Sequence, residues 1–379
     1  MYHKKWLKTW FFFFTIGIFF IAGMNYIIDP YGLNNKFIFD KFNKYKNTNT
    51  GYTFQYKTNK VLSGKYNTLM LGTSRVGAVN PEVINPYVKG KTFNFALPGS
   101  VTEVQHKVFL YSLHYNKIKN LVYGIDFMSF NQSQTVEYDS KGFFQLKKQI
   151  ENKSEIYNFD IYFNWKTLQS TIEVMLNNLL GKAKVMEIYL PNGMRDYRNH
   201  IKSLKEGTFD VDMSIKSYIK TYFFINSGVY KNYQFSVNYL AYFRKTIEYC
   251  QVHNIKVWVY IPPMYSDHFD AIYASGYYDE FELFKRELVK IVDFMDFTGH
   301  NSITENKHNF WDTSHLRKEY SSLLMAKVFH DNSLRTPSDF GVMVDEDNIE
   351  EHLKNLKNQL EEYNLSKILN ASEIPKLGF

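Results

Sequence analysis

The longest apolar stretch in this chain comes first. In "MYHKKWLKTWFFFFTIGIFFIAGMNYIIDPYG" no charged residue falls between Lys8 and Asp29. From Trp10 to Ile28 the run covers a hydrocarbon core of ~30 Å at 1.5 Å per residue, and Trp6, Trp10 and Tyr26 stand at interfacial positions. It predicts one membrane-spanning helix. The competing reading is a cleaved signal peptide, but no clean small-x-small site precedes Asp29. Lys4, Lys5 and Lys8 precede the span and no lysine lies inside it. That asymmetry puts the N-terminus in the cytoplasm and the rest of the chain on the extracytoplasmic (periplasmic or outer) side.

Residues 31–65 have no clear period and read as an irregular lead-in. Short apolar runs then recur at "NTLMLG" (67–72), "TFNFAL" (92–97), "NLVYGIDF" (120–127), "KVWVYIP" (256–262) and "VDFMDF" (292–297). Each has strand length and turn residues at its ends. Helix-period stretches fall between them at 103–116, 237–254 and 279–292. The alternation predicts an α/β domain: a parallel sheet of about five strands, flanked by helices on both faces. Residues 131–235 break the rhythm and read as a large insertion after the third strand, with no role assigned. The expected organisation is a cytoplasmic stub and anchor (1–30), the lead-in (31–65), the α/β domain (66–330) and a helical tail (331–379). In the tail Ile349, Leu353, Leu356, Leu360 and Tyr363 share one stripe, which packs on the domain or on a partner.

Composition narrows the function classes. Apolar residues make up 45% of the chain, enough to build a core and exclude wholesale disorder. The net charge of +7 comes from Lys and Arg scattered among Asp and Glu rather than gathered in a stripe, which argues against a nucleic-acid partner. Cys250 stands alone, so no internal disulfide or cysteine-based zinc site is available. His300, His308 and His315 lack the i, i+4 pairing of a helical metal site, and no glycine-rich phosphate cradle occurs. Neither a metal nor a cofactor is expected.

Two short blocks carry candidate chemistry. "LMLGTSR" places Ser74 in the turn after the first strand, at the end of a parallel sheet where functional groups gather. "WDTSHL" sets Asp312 and His315 three apart at the predicted entry of a helix. There a carboxylate can receive the imidazole Nδ1–H and leave Nε2 to act as a base. Each residue also has a structural reading: Ser74 as a turn cap, Asp312 as a helix N-cap with His315 on the surface beside it. Arg75 is either a substrate clamp or a salt-bridge partner. His268, in "IPPMYSDHF", is either a substrate contact or a solvated loop residue.

The two blocks, in this order, resemble the first and last blocks of the SGNH/GDSL hydrolase superfamily. The resemblance implies a flavodoxin-like sheet with Ser74 as nucleophile, His315 as base and Asp312 as the acid that orients it. "NFALPGS" resembles the block whose Gly amide joins the oxyanion hole, which implies Gly99. "YGIDF" stands where the family has G-x-N, so Asp126 replaces the side-chain donor. A carboxylate repels a developing oxyanion unless protonated or turned away. Either Asp126 has another task or the donor lies elsewhere, with Asn131 the candidate. The single anchor, the following "DPYG" and an outward-facing domain are similar to membrane-tethered SGNH-like proteins of alginate acetylation and lipoteichoic-acid D-alanylation. That similarity implies an esterase or O-acyltransferase acting on a cell-surface polysaccharide or glycan ester, with a multi-spanning membrane acyltransferase as partner. The alternative is a catalytically inactive scaffold that binds glycan or docks such an acyltransferase.

Overall fold

The computed structural model describes residues 2–34, 36–46, 53–62, 65–134, 161–182, 189–224 and 228–360. Tyr363 of the tail stripe and residues 135–160 of the insertion lie outside these. Helix α1 (Tyr2–Ile28) contains the apolar run, and its segment Lys4–Ile28 is long and apolar enough to cross a membrane. That is consistent with a single-pass anchor.

Strands β1 (Thr68–Leu71), β2 (Thr92–Asn94), β3 (Asn120–Gly124), β4 (Lys256–Ile261), β5 (Phe294–Asp296) and β6 (Val342–Val344) form one sheet in the order β2-β1-β3-β4-β5-β6. Only β6 is antiparallel to its neighbour. Seven further helices matter here: α2 (Thr102–Tyr115), α3 (Trp165–Leu179) and α4 (Val211–Ile219) of the insertion, α5 (Val237–Val252), α6 (Ser266–Ala274), α7 (Tyr278–Val289) and α8 (Ser321–Val328). A last one, α9 (Ile349–Asn358), follows β6.

Side-chain alternation accounts for the unbroken apolar runs. Leu69 and Leu71 of β1, Leu121 and Tyr123 of β3, and Val259 and Ile261 of β4 enter the core beneath α2, α5, α7 and α9. The residues between them, Met70, Val122 and Tyr260, enter a second core on the other face, which α8 closes. With both faces buried, consecutive positions in the middle of β1, β3 and β4 are apolar and the period of two disappears from the sequence there. The tail stripe belongs to the first core: Ile349, Leu353, Leu356 and Leu360 are buried against the domain. A buried ion pair, Lys285 Nζ to Asp296 Oδ2 at 2.6 Å, joins α7 to β5, and His352 of α9 reaches the same oxygen at 2.8 Å.

Three local expectations change. The run at 92–97 is strand only as far as Asn94, whose side-chain amide donates to the carbonyls of Val76 and Val79. The Phe95 and Leu97 N–H groups continue to the carbonyls of Met70 and Gly72 as an irregular extension. The lead-in contains a helix, Thr53–Val61, whose buried side includes Phe54, Lys57, Thr58 and Val61. Two of those four positions are polar, which hides the helical period. Lys57 donates to the carbonyls of Asn94 and Ala96 at 3.0 and 2.5 Å, and burial holds its amine well below the ordinary value. The sixth strand is a three-residue edge with Val342 and Met343 exposed, too short and too open to leave an apolar signature.

Candidate functional site

The five parallel strands run 2-1-3-4-5, so the order reverses between β1 and β3, and sheets of this kind gather functional groups beyond the carboxyl ends at such a reversal. Two glycines let the chain turn tightly there. Gly72 has φ +143°, and a Cβ there would meet the Gly124 carbonyl oxygen at 2.4 Å and Val76 at 2.5 Å. Gly124, at the end of β3, is equally closed by Val76. The turn Ser74–Gly77 therefore sits directly over the ends of both strands. Its cap is Thr73, which accepts from the Arg75 N–H at 3.4 Å and donates to Asp126 Oδ2 at 2.8 Å. Ser74 itself is half-buried and plays no part in the cap.

Behind Ser74 lies a buried polar cluster. Arg75 Nε stands 3.3 Å from Asp126 Oδ2, both side chains being fully enclosed, but the N–H is not aimed at the oxygen. The contact is thus an ion pair without hydrogen-bond alignment. Arg75 Nη2 donates to His268 Nε2 at 3.2 Å, and Tyr230 Oη approaches the same nitrogen at 3.3 Å. Since a guanidinium only donates, Nε2 is the acceptor and His268 Nδ1 carries the proton, directed at Thr313 Oγ1 2.9 Å away. Burial, reinforced by the charges of Arg75 and His315, keeps His268 neutral. Burial opposes the Arg75 charge, yet Asp126, Tyr230, Tyr222 and Asp312 outweigh it and leave the guanidinium raised.

Asp312 and His315 stand in an irregular turn rather than at a helix entry. The turn is closed by the Trp311 N–H to the His315 carbonyl at 2.9 Å and by a bridge between Phe310 and Leu316. Asp312 Oδ1 accepts the N–H groups of Ser314 (2.7 Å) and His315 (3.0 Å), while His315 Nδ1 lies 2.9 and 2.8 Å from the two carboxylate oxygens. One carboxylate therefore both shapes the turn and orients the ring. His315 Nε2 is buried and holds no hydrogen bond, so the Ser74–His315 bond is not made in this structure. The two residues nevertheless belong to one cluster: Arg75, next to Ser74, extends Nη2 to 3.5 Å from Ser314 Oγ, next to His315.

No protein-family model and no curated protein matches this chain.

The remaining candidates take varied positions. Gly99 (φ +64°) lies in the turn after β2, which is tied to Gly72 by the Leu97 N–H at 2.9 Å and Ser100 Oγ at 3.2 Å. That places its backbone beside the Ser74 turn. Asn131 spends its side chain elsewhere, donating to the Val229 carbonyl at 2.9 Å and accepting from the Ser133 N–H at 3.0 Å, and so fastens the two ends of the insertion. Asp126 has the other task that the sequence left open, as partner of Thr73 and Arg75. Arg75 is a salt-bridge partner, and His268 is neither solvated nor on a loop but enclosed at the start of α6.

What the sequence did not disclose is the work of the insertion. Tyr218 meets the His315 ring edge-on at 5.8 Å, and Tyr222, Phe223 and Tyr230 surround His268. Tyr197 stacks on Trp311 at 5.4 Å, with Arg317 4.6 Å from the indole. The Arg195 N–H binds the Gly77 carbonyl at 2.8 Å, strapping the insertion to the Ser74 turn. Burial pushes the Tyr222 phenol up to about 12, so it stays a neutral donor. The only hint in the sequence is the aromatic density of "YFFINSGVYKNYQF".

The Asp312 turn makes a pH-dependent contribution to stability. Burial alone would raise its carboxyl, but the His315 charge and the hydrogen bonds from His315 and Ser314 prevail and hold it below the usual range. A depressed carboxylate stabilises the fold above its unfolded pKa of ~3.9, and the contribution is lost as pH falls through the folded value. Asp312→Asn is therefore expected to melt below the wild type at pH 7, with the gap closing below about pH 4. Thermal melts across that pH range check this; a gap independent of pH refutes it.

Proposed function

We propose that this protein is an SGNH-like serine esterase or O-acyltransferase, held by α1 with its N-terminus in the cytoplasm and its α/β domain outside, acting on an ester of a cell-surface saccharide. The observation that carries the reading is His315: Nδ1 is gripped by both oxygens of Asp312, and Nε2 is buried without a partner in the cluster that includes the Ser74 turn. In this reading Ser74 Oγ attacks the ester carbonyl while His315 Nε2 takes its proton and returns it to the leaving alcohol. Asp312 holds the ring, and the amides of Ser74 and Gly99 receive the oxyanion. Water resolves the acyl-enzyme in an esterase; a sugar hydroxyl does so in a transferase. Arg75 offsets the Asp126 charge, which removes the objection to a carboxylate at the G-x-N position. The open Ser74–His315 pair matches the loose hydrogen bonds common in ligand-free sites, which tighten when substrate binds.

The same open pair favours a second reading, a catalytically inactive scaffold that binds glycan or docks a membrane acyltransferase. Fluorophosphonate labelling of the full-length protein in detergent separates the two. The catalytic reading expects stoichiometric adduct on Ser74 by peptide mass spectrometry, with labelling greatly slowed in His315→Ala. An unlabelled Ser74 in folded protein supports the scaffold.

A further inference from the structure

The outer half of α1 is not bare. From Trp10, where the apolar run begins, to Phe20 the helix is largely open to its surroundings, but from Ile21 onward most of it is enclosed by the lead-in and the insertion, with Ile27 still exposed. The open portion of the run rises about 16 Å at 1.5 Å per residue, short of the ~30 Å of a hydrocarbon core. If α1 spans a bilayer, the missing depth falls where other parts of the chain surround the helix.

Those surrounding parts carry an apolar outer surface. Helix α3 lies along α1, joined by Thr171 Oγ1 to Asn25 Oδ1 at 2.7 Å, with Asn25 Nδ2 donating to the Tyr162 carbonyl at 2.7 Å. Phe163 meets Phe19 edge-on, nine residues below Ile28, so this contact lies about 13 Å inside the end of the span. The face of α3 toward α1 contains Thr167, Leu168, Thr171 and Val174. Its far side exposes Trp165 (67%), Ile172, Leu176, Leu179 and Leu180 (62%) at helical spacing. A second segment contributes independently. Asn43 Nδ2 binds the carbonyls of Ile27 and Ile28 at 3.2 and 3.1 Å, holding residues 37–42 around the end of α1, where Phe37, Ile38 (60%), Phe39 and Phe42 are exposed. Exposed Lys41 and Lys182 lie at the end of the patch nearer the domain, where Asp40 is paired with Lys44 at 3.0 Å. Lys166 and Glu173 stand exposed along the polar edge of α3, from which long side chains reach toward the headgroups. The two segments are joined where the Tyr45 N–H donates to Asn178 Oδ1 of α3 at 3.0 Å, and exposed apolar residues gathered beside a membrane-length helix mark an interaction site.

We infer that Phe37, Ile38, Phe39 and Phe42, with the exposed apolar side chains of α3, form a collar immersed in the outer leaflet of the bilayer that α1 spans, Asp40 and Lys41 facing its headgroups. The occupant of this surface is lipid, and the collar fixes the domain at a set height and tilt rather than leaving it on a flexible stalk. The inference rests on the anchor reading of α1 and is independent of the catalytic one.

Spin labels test it in the full chain reconstituted in vesicles of phosphatidylcholine and phosphatidylglycerol. Native Cys250 is buried and needs no replacement. Labels at Trp165→Cys, Leu176→Cys and Phe39→Cys are compared with Phe12→Cys in the span and Val252→Cys on the domain surface, all exposed positions whose substitution leaves the core intact. The collar predicts collision with oxygen well above collision with a water-soluble nickel chelate at all three positions, severalfold beyond the Val252 ratio and approaching that of Phe12. Nickel access like that of Val252 overturns it. Exclusion of both reagents overturns it as well, since protein rather than lipid then covers the face. A water-exposed Phe12 label overturns the anchor and the collar together.

Discussion

The proposed acyl-enzyme mechanism predicts that Ser74→Ala lowers turnover of an activated acetyl ester by ~10³-fold or more while leaving the melting temperature nearly unchanged. The substitution removes one half-buried oxygen that takes no part in the Thr73 cap, so the fold has little to lose. His315→Ala costs about as much, and the double variant scarcely more, because members of a catalytic unit fail together. Steady-state rates of the three purified variants measure this directly. Additive losses would mean that the two residues act separately and the proposed unit is wrong. Wild-type rates in Ser74→Ala would remove the nucleophile from the proposal and leave the scaffold.

Asp126→Asn destabilises the protein by about 3–5 kcal/mol, because it leaves the Arg75 guanidinium buried beside a neutral amide. The pair is enclosed and Arg75 Nη1 lacks a hydrogen bond, so without Asp126 the acceptors left to the guanidinium are the neutral His268 Nε2 and Ser314 Oγ. Removing both charges has the opposite consequence. Arg75→Met with Asp126→Leu recovers most of the loss, since an apolar pair of similar volume escapes the cost of burying ions. Urea unfolding of the single and double variants decides it. If Asp126→Asn is neutral, the pair does not hold the site. If the double variant recovers stability but not esterase activity, the pair serves the chemistry rather than the fold.

Some of this site could be read directly from the sequence. The membrane-length run, the strands at β1, β3 and β4, the helices α2, α5 and α7, and the i, i+3 pair of Asp312 and His315 all depend on residues close together in the chain. Their signals are length, periodicity and spacing, which survive without knowledge of the fold. Even the stripe of Ile349, Leu353 and Leu356 was legible as a buried face, though not which surface buries it. Tertiary structure decided the rest. Thr73 meets Asp126 across 53 positions and Arg75 meets His268 across 193, so the tasks of Asp126, Arg75 and His268 arise only when the ends of β1, β3 and β4 come together. Lys57 reads as a surface lysine until the carbonyls of Asn94 and Ala96 close over it. In the described part of the insertion, local pairs such as Tyr218 with Tyr222 coexist with contacts to distant loops, Tyr218 on His315 and Tyr197 on Trp311, and it is the distant contacts that no local period announces. A chain records its local pairings as pattern; a contact between remote segments leaves no spacing to read, because its energy depends on where the sheet brings them.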